Sequence, residues 1–372
     1  MNITFLIGNG FDIGVGMKSK FKDFFPIYKD KSVKKPDYIR QLSENIEGNY
    51  GTWANFEKEL GVYTANFDKK TKQHFIQQIK DFEKEFISYL KEQEELLIFD
   101  KEVIEPIIQD APFSYYSENN LPQTSSEKIA NIYAQHRSEQ YVYKFINFNY
   151  TSVLEKCLNA IPKRIVHNGK YCNYSRTEII GDVIHIHGYK DTYPIIGVND
   201  VSQIKNTELA NDTAFARRIV KPLVNQYLRN KNDANATSAI EHSRIICVYG
   251  MSLGDTDKKW WDKIIQWLAG DSSRDLVIFD YDENYSTETQ FDWLDKEDAI
   301  IERLSAFCSD NRIKVENLRS RIHIAIHKNI FGIKLKKNKK DDSKKQDKYL
   351  DVLEQIKAEE TLEKAKKELA EV

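Results

Sequence analysis

A short apolar run from Asn2 to Ile7 passes directly into Gly8-Asn9-Gly10 and then into a segment able to become helical. This order of strand, tight turn and helix constrains the chain more than any other stretch. Strand-like runs return at Val142 to Asn147, Arg164 to Val166, Val183 to Ile186, Arg244 to Val248, Asp275 to Phe279 and Arg321 to Ile326. Helix-compatible stretches separate most of them. Parallel neighbours need crossovers and are covered on both faces, so the alternation predicts an α/β fold with a Rossmann-like, mainly parallel sheet.

Texture divides the chain further. Residues 1–31 carry the first strand, the glycine loop and its helix. Residues 32–140 show few buried-strand signals and a helical period at Phe75, Ile79, Phe82, Phe86 and Leu90, with an earlier amphipathic piece at Trp53, Phe56, Glu57 and Leu60. That reads as a large helical insertion. Residues 141–333 hold the remainder of the Rossmann-like part. Residues 334–372 open with the basic run Lys334 to Lys340, a solvated linker, and continue as a charged helical tail in which Leu350, Leu353, Ile356 and Leu369 can dock.

Composition then narrows the function classes. The 372 residues are 41% hydrophobic and 30% charged, the balance of a globular protein. The apolar run at Ile3 to Ile7 follows no basic segment and is too short for a secretory signal or a spanning helix, so no membrane partner is expected. Fifty-five basic against 57 acidic side chains leave a formal charge of -2, which gives no overall footprint for nucleic acid. Cys157, Cys172, Cys247 and Cys308 are widely spaced without a CxxC pair, arguing against structural zinc or a disulfide framework and fitting a cytoplasmic setting.

Several segments can carry chemistry. In Gly8-Asn9-Gly10-Phe11-Asp12, glycines permit a tight turn and close backbone approach, and a helix N-terminus offers N–H donors to a nucleotide phosphate; a bare strand-to-helix turn has the same signature. Asn147 and Asn149, in Asn147-Phe-Asn-Tyr-Thr151, fall at the carboxyl end of an expected strand, where open α/β sheets bind ligands, though Asn also caps helices well. Strand alternation puts His185 and His187 on one face, with His187 before Gly188, placed to act as a general base near neutral pH. The His-x-His pair is also compatible with metal ligation, but no acidic ligand at helical spacing accompanies it, so no metal is expected. After the run at Arg244 to Val248, Ser252 and the glycines of Tyr249 to Asp257 can bind phosphate or ribose. Asp255 or Asp257 can cap a helix whose Trp260 and Trp261 read as core. Asp280 ends another strand, where an acidic group can accept hydrogen bonds from a ribose or simply occupy a surface turn.

In this order, the segments resemble the bacterial abortive-infection AbiH family, most closely at Gly8 to Asp12 (GNGFD) and Asn147 to Thr151 (NxNYT). More distantly, the glycine loop, strand-end Asn, His-Gly and G-x-S-L segments are similar to the SIR2 superfamily, including the SIR2-like NAD hydrolases of antiphage systems, over about half the chain. That second resemblance implies NAD as a substrate, with Asn149 positioning the nicotinamide ribose and His187 as the His of the His-Gly motif. It further maps the glycine loop onto Gly8 and Gly10 and the G-x-S-L serine onto Ser252; together with the segments read above, the expected dinucleotide-binding residues are Gly8, Asn9, Gly10, Phe11, Asp12, Asn147, Ser252 and Asp280. Thr151 stands where sirtuins keep an Asp, Asn9 replaces a small residue, and the zinc-ribbon cysteines are missing, so protein deacylation is not implied. The expected activity is release of nicotinamide and depletion of NAD during infection, by a protein that acts as a homo-oligomer or with a defence-system partner. The alternatives are a non-catalytic nucleotide-binding sensor or scaffold, and a nucleic-acid-cleaving toxin using His185, His187 and a local basic patch.

Overall fold

The computed structural model describes residues 1–338 apart from 54, 111, 172–173, 190–193, 282–289 and 327. Its strands are β1 (Asn2–Ile7), β2 (Leu97–Ile98), β3 (Tyr141–Asn147), β4 (Ile165–Tyr171), β5 (Tyr174–His185), β6 (Ile245–Tyr249), β7 (Asp275–Asp280), β8 (Ile322–Ile326) and β9 (Lys336–Lys337). Seven form one sheet in the order β4-β5-β3-β1-β6-β7-β8, and β2 pairs with β9. All neighbours in the large sheet run parallel except β4 and β5. The α/β, Rossmann-like, mainly parallel architecture expected from the alternation is therefore present.

The central strand shows why these residues fold this way. Ile3, Phe5 and Ile7 of β1 enter an apolar core on one face, and Leu6 enters a second core on the other face with Ile146, Val248, Trp260 and Trp261. Both faces are covered, which is what a continuous run such as Ile245 to Tyr249, buried throughout, requires. Between β1 and β3 lie helices that include Phe21–Ser32, Phe56–Tyr63 and Lys72–Glu95. The last buries Phe75, Ile79, Phe82 and Leu90 and partly buries Phe86, the five positions its period marked. Its Phe82 stacks on Phe56 with ring centroids 4.3 Å apart.

Three features depart from the sequence reading. The expected short runs at Arg164 and Val183 are parts of a long hairpin, β4 and β5, whose outer end is half exposed and so lacks a continuous apolar signature. Lys336 and Lys337, expected in a solvated linker, instead form the ladder with Ile98 and Leu97. Backbone bonds from Leu335 N to Val15 O and from Asn338 N to Leu96 O, both 3.0 Å, pin that segment. The tail from 339 onward and Cys172 lie outside the described residues.

Topology fixes where a ligand can sit. From β1 the sheet extends through β3 and β5 on one side, and from β6 through β7 and β8 on the other. The chain thus reverses its direction of travel between β1 and β6. A crevice opens outside the carboxyl ends of two strands whose connections diverge, and here those strands are β1 and β6.

Candidate functional site

The loops after β1 and β6 are pressed together at that crevice. Gly8 N donates to Tyr249 O at 3.0 Å and Gly10 N to Gly250 O at 2.8 Å. A Cβ added at Gly8 would lie 2.5 Å from Gly250 O, and one at Gly10 would lie 2.5 Å from Gly250 Cα. Gly250 itself has φ +68°, a left-handed conformation that suits glycine. These glycines permit backbone-to-backbone packing. With Phe11 N donating to Gly8 O at 3.0 Å, the amides of Gly8, Gly10 and Phe11 are all engaged. Three of the amides expected to donate to a phosphate are thus already engaged within the fold, and the loop shapes the cavity wall.

A cavity of about 710 Å³ opens above this junction. Its wall includes Gly8, Asn9, Gly10 and Asp12 from the first loop, Asn149 after β3, His187 after β5, Ser252 after β6 and Asp280 at the end of β7. Segments from across the chain thus converge on one space. Phe11 and Asn147 do not line it. Phe11 is buried edge-on against Phe331, with centroids 4.9 Å apart. Asn147 is fully buried and its Oδ1 accepts from Asn149 N at 3.0 Å, so it shapes the turn that presents Asn149.

Asn149 Nδ2 donates to Gly8 O at 3.1 Å, tying the β3 loop to the β1 loop and leaving Oδ1 as its unengaged acceptor. Asn9 is held by Ser19, whose Oγ donates to Asn9 Oδ1 at 2.6 Å. Asp12 is buried in the wall, where Thr151 Oγ1 donates to its Oδ2 at 2.7 Å and its Oδ1 has no partner. Burial pushes the Asp12 carboxyl up to about 7, with Glu94 and Glu155 adding in the same direction and the Thr151 hydroxyl opposing.

β5 ends at His185, so the alternation that would keep the two histidines on one face stops there. His185 bonds Glu155 through Nε2 and lies 3.2 Å from Asn149 O through Nδ1. His187 goes to the cavity, flanked by Phe148 and Tyr150 at ring centroid distances of 5.6 and 6.2 Å. Its Nδ1 is buried without a partner, and Nε2 lies 3.8 Å from Asp257 Oδ1. Burial, reinforced by the charge of Lys221, lowers its pKa to about 3. His187 is a neutral imidazole at physiological pH, a hydrogen-bonding group and a weak base, which revises the expectation of a base poised near neutrality.

Sequence reasoning did not assign Glu57, Lys221, Asp257, Lys296 and Arg303 to the site, yet all line the cavity. Lys221 is buried and ion-paired with Glu57, which also lies 3.4 Å from Tyr150 Oη. Glu57 was legible only as part of an amphipathic helix. Nothing local marks Lys221; the parallel bridge between Val198 and Val220 and the bond from Lys221 N to Val198 O position it. Asp257 occupies the N-cap position of the helix Lys258–Gly270 but makes no side-chain cap bond. Burial raises its pKa, with Lys221 opposing. Trp260 and Trp261 are core residues, as expected. Among the described residues, no group of three or more His, Cys, Asp or Glu is placed to hold a metal ion, and no helix is long and apolar enough to cross a membrane.

A family profile described as bacteriophage abortive infection AbiH matches residues 4–281, from β1 through the residue after β7. No curated protein matches the chain.

Proposed function

The chain belongs to the bacteriophage abortive infection AbiH family, and on that premise of phage defence we propose that it is a SIR2-like NAD hydrolase. The observation that supports this reading is the meeting of Asn149, His187, Ser252 and Asp280 with the glycine loop in one cavity at the sheet's switch point. The substrate is NAD. Breaking the nicotinamide–ribose bond sends its electron pair to the ring nitrogen, so neutral nicotinamide departs and an oxocarbenium-like sugar remains. Water adds to that carbon and releases a proton, giving ADP-ribose.

A leaving group that is already cationic needs little acid assistance, and a neutral imidazole suits such chemistry. His187 holds a ribose hydroxyl by hydrogen bonding and lends electron density toward the developing charge. Asn149 Oδ1 accepts from the attacking water, while Asp280 accepts from a ribose hydroxyl. Dependence on a homo-oligomer or a defence-system partner, in the cytoplasm, belongs to the same proposal, because the activity has to be restrained in uninfected cells.

The test is to follow nicotinamide release from NAD by the purified protein, and NAD content in phage-challenged cells, for the wild type, His187→Gln and Asn149→Ala. Nicotinamide release and NAD loss should fall by at least about 100-fold in each variant, in the range that loss of an electrostatic or proton-handling group produces. Equal turnover would remove both residues from the mechanism. A second reading, a non-catalytic nucleotide sensor, draws on the tether between Asn149 Nδ2 and Gly8 O, which gives that side chain a structural task. Tight nucleotide binding without product in infected cells would favour the sensor.

A further inference from the structure

We propose, building on the nucleotide reading of the cavity, that the phosphates of its ligand are held by Lys296 and Arg303, two cations on one face of the helix Gln290–Phe307. The amides of Gly8, Gly10 and Phe11 already donate to Tyr249 O, Gly250 O and Gly8 O. Recruiting them would break the seam between the β1 and β6 loops. A pyrophosphate therefore needs charged donors from elsewhere on the wall.

Lys296 and Arg303 are seven residues apart, two helical turns or roughly 10 Å along the axis, and both line the cavity. Both already hold ion-pair partners that a phosphate would compete with. Lys296 Nζ is ion-paired with Asp280 Oδ2 at 3.0 Å. Arg303 donates from Nη2 to Asp255 Oδ1 at 2.7 Å and from Nε to Leu253 O at 3.0 Å. The Arg303–Asp255 pair is open to water, with side chains 43% and 42% exposed, so solvent screening keeps it weak. Lys58, on the helix Phe56–Tyr63, lies 3.7 Å from the other oxygen of Asp255. When Arg303 turns to phosphate, Asp255 keeps a cation. Among the described residues, Lys221 is the remaining lysine or arginine on the wall, and it is buried against Glu57 and not available for such an exchange.

Calorimetric titration of the full chain with inorganic pyrophosphate, ADP-ribose and adenosine, for the wild type, Lys296→Gln, Arg303→Gln and the double variant, separates the possibilities. Each single variant should weaken pyrophosphate and ADP-ribose binding about tenfold or more, and the double variant further, with adenosine binding unchanged. Arg303→Lys should recover part of the loss, and wild-type affinity for pyrophosphate should fall with added salt. A double variant that binds ADP-ribose as tightly as the wild type overturns the phosphate assignment and leaves the nucleotide reading standing. Loss of pyrophosphate binding in the double variant, with a wild type that ignores ADP-ribose and adenosine, upholds the cation site and ends the nucleotide reading. A wild type that binds neither phosphate probe overturns both.

Discussion

Asp12 illustrates how burial sets chemistry at the residue scale. Its carboxyl, raised from 3.8 to about 7, remains protonated in the folded protein over a range where the unfolded chain ionises. Between about pH 4 and pH 7 the folded state binds more protons at this group, so its contribution to stability falls as pH rises. His187 works in the opposite sense: lowered from 6.5 to about 3, it stays neutral while the unfolded chain charges, so its contribution grows with pH across that window. Replacing Asp12 by Asn, which keeps the shape and removes the titration, should therefore gain stability relative to wild type as pH rises from about 4 to about 7, with a limiting slope of about 1.4 kcal/mol per pH unit. Denaturant melts across that range check the sign; a difference that shrinks with pH would contradict it. Asn149 and His187 were legible because each follows a strand run and belongs to a recognisable motif. Glu57 and Lys221 were not, because their importance arises from a buried pair between positions 164 residues apart.

At the scale of elements, the glycine loop was legible as strand, turn and helix, but the purpose of its glycines was not. Their tight fit against Gly250 is a tertiary contact that spacing within the loop cannot reveal. It yields a sharp contrast between neighbouring positions. Gly10→Ala places a Cβ 2.5 Å from Gly250 Cα and should destabilise the fold by roughly 1–3 kcal/mol, the range for overpacking against unyielding neighbours. Gly14→Ala meets only Tyr249 Oη at 3.7 Å, ordinary contact distance, and should be close to neutral. Thermal unfolding of the two variants distinguishes them, and equal stability would show that the β1 and β6 loops are free to separate. The β4–β5 hairpin was only half visible because its half-exposed outer end does not show the apolar runs that mark β6 and β7. The pairing of Lys336 and Lys337 was hidden because a basic run carries no strand signature, and its backbone bonds to distant segments determine its conformation.

At the scale of the whole molecule, residues from the ends of β1, β3, β5, β6 and β7 and from helices on either side meet in one cavity. The family match places the chain in abortive infection, and the cavity gives that role a candidate chemistry. A crystal structure of the His187→Gln protein soaked with NAD tests that link most directly. The account predicts dinucleotide density outside the carboxyl ends of β1 and β6, with the nicotinamide ribose against Asn149 and the phosphates beside Lys296 and Arg303. An empty crevice at saturating NAD, or density with its ribose remote from Asn149, would contradict it.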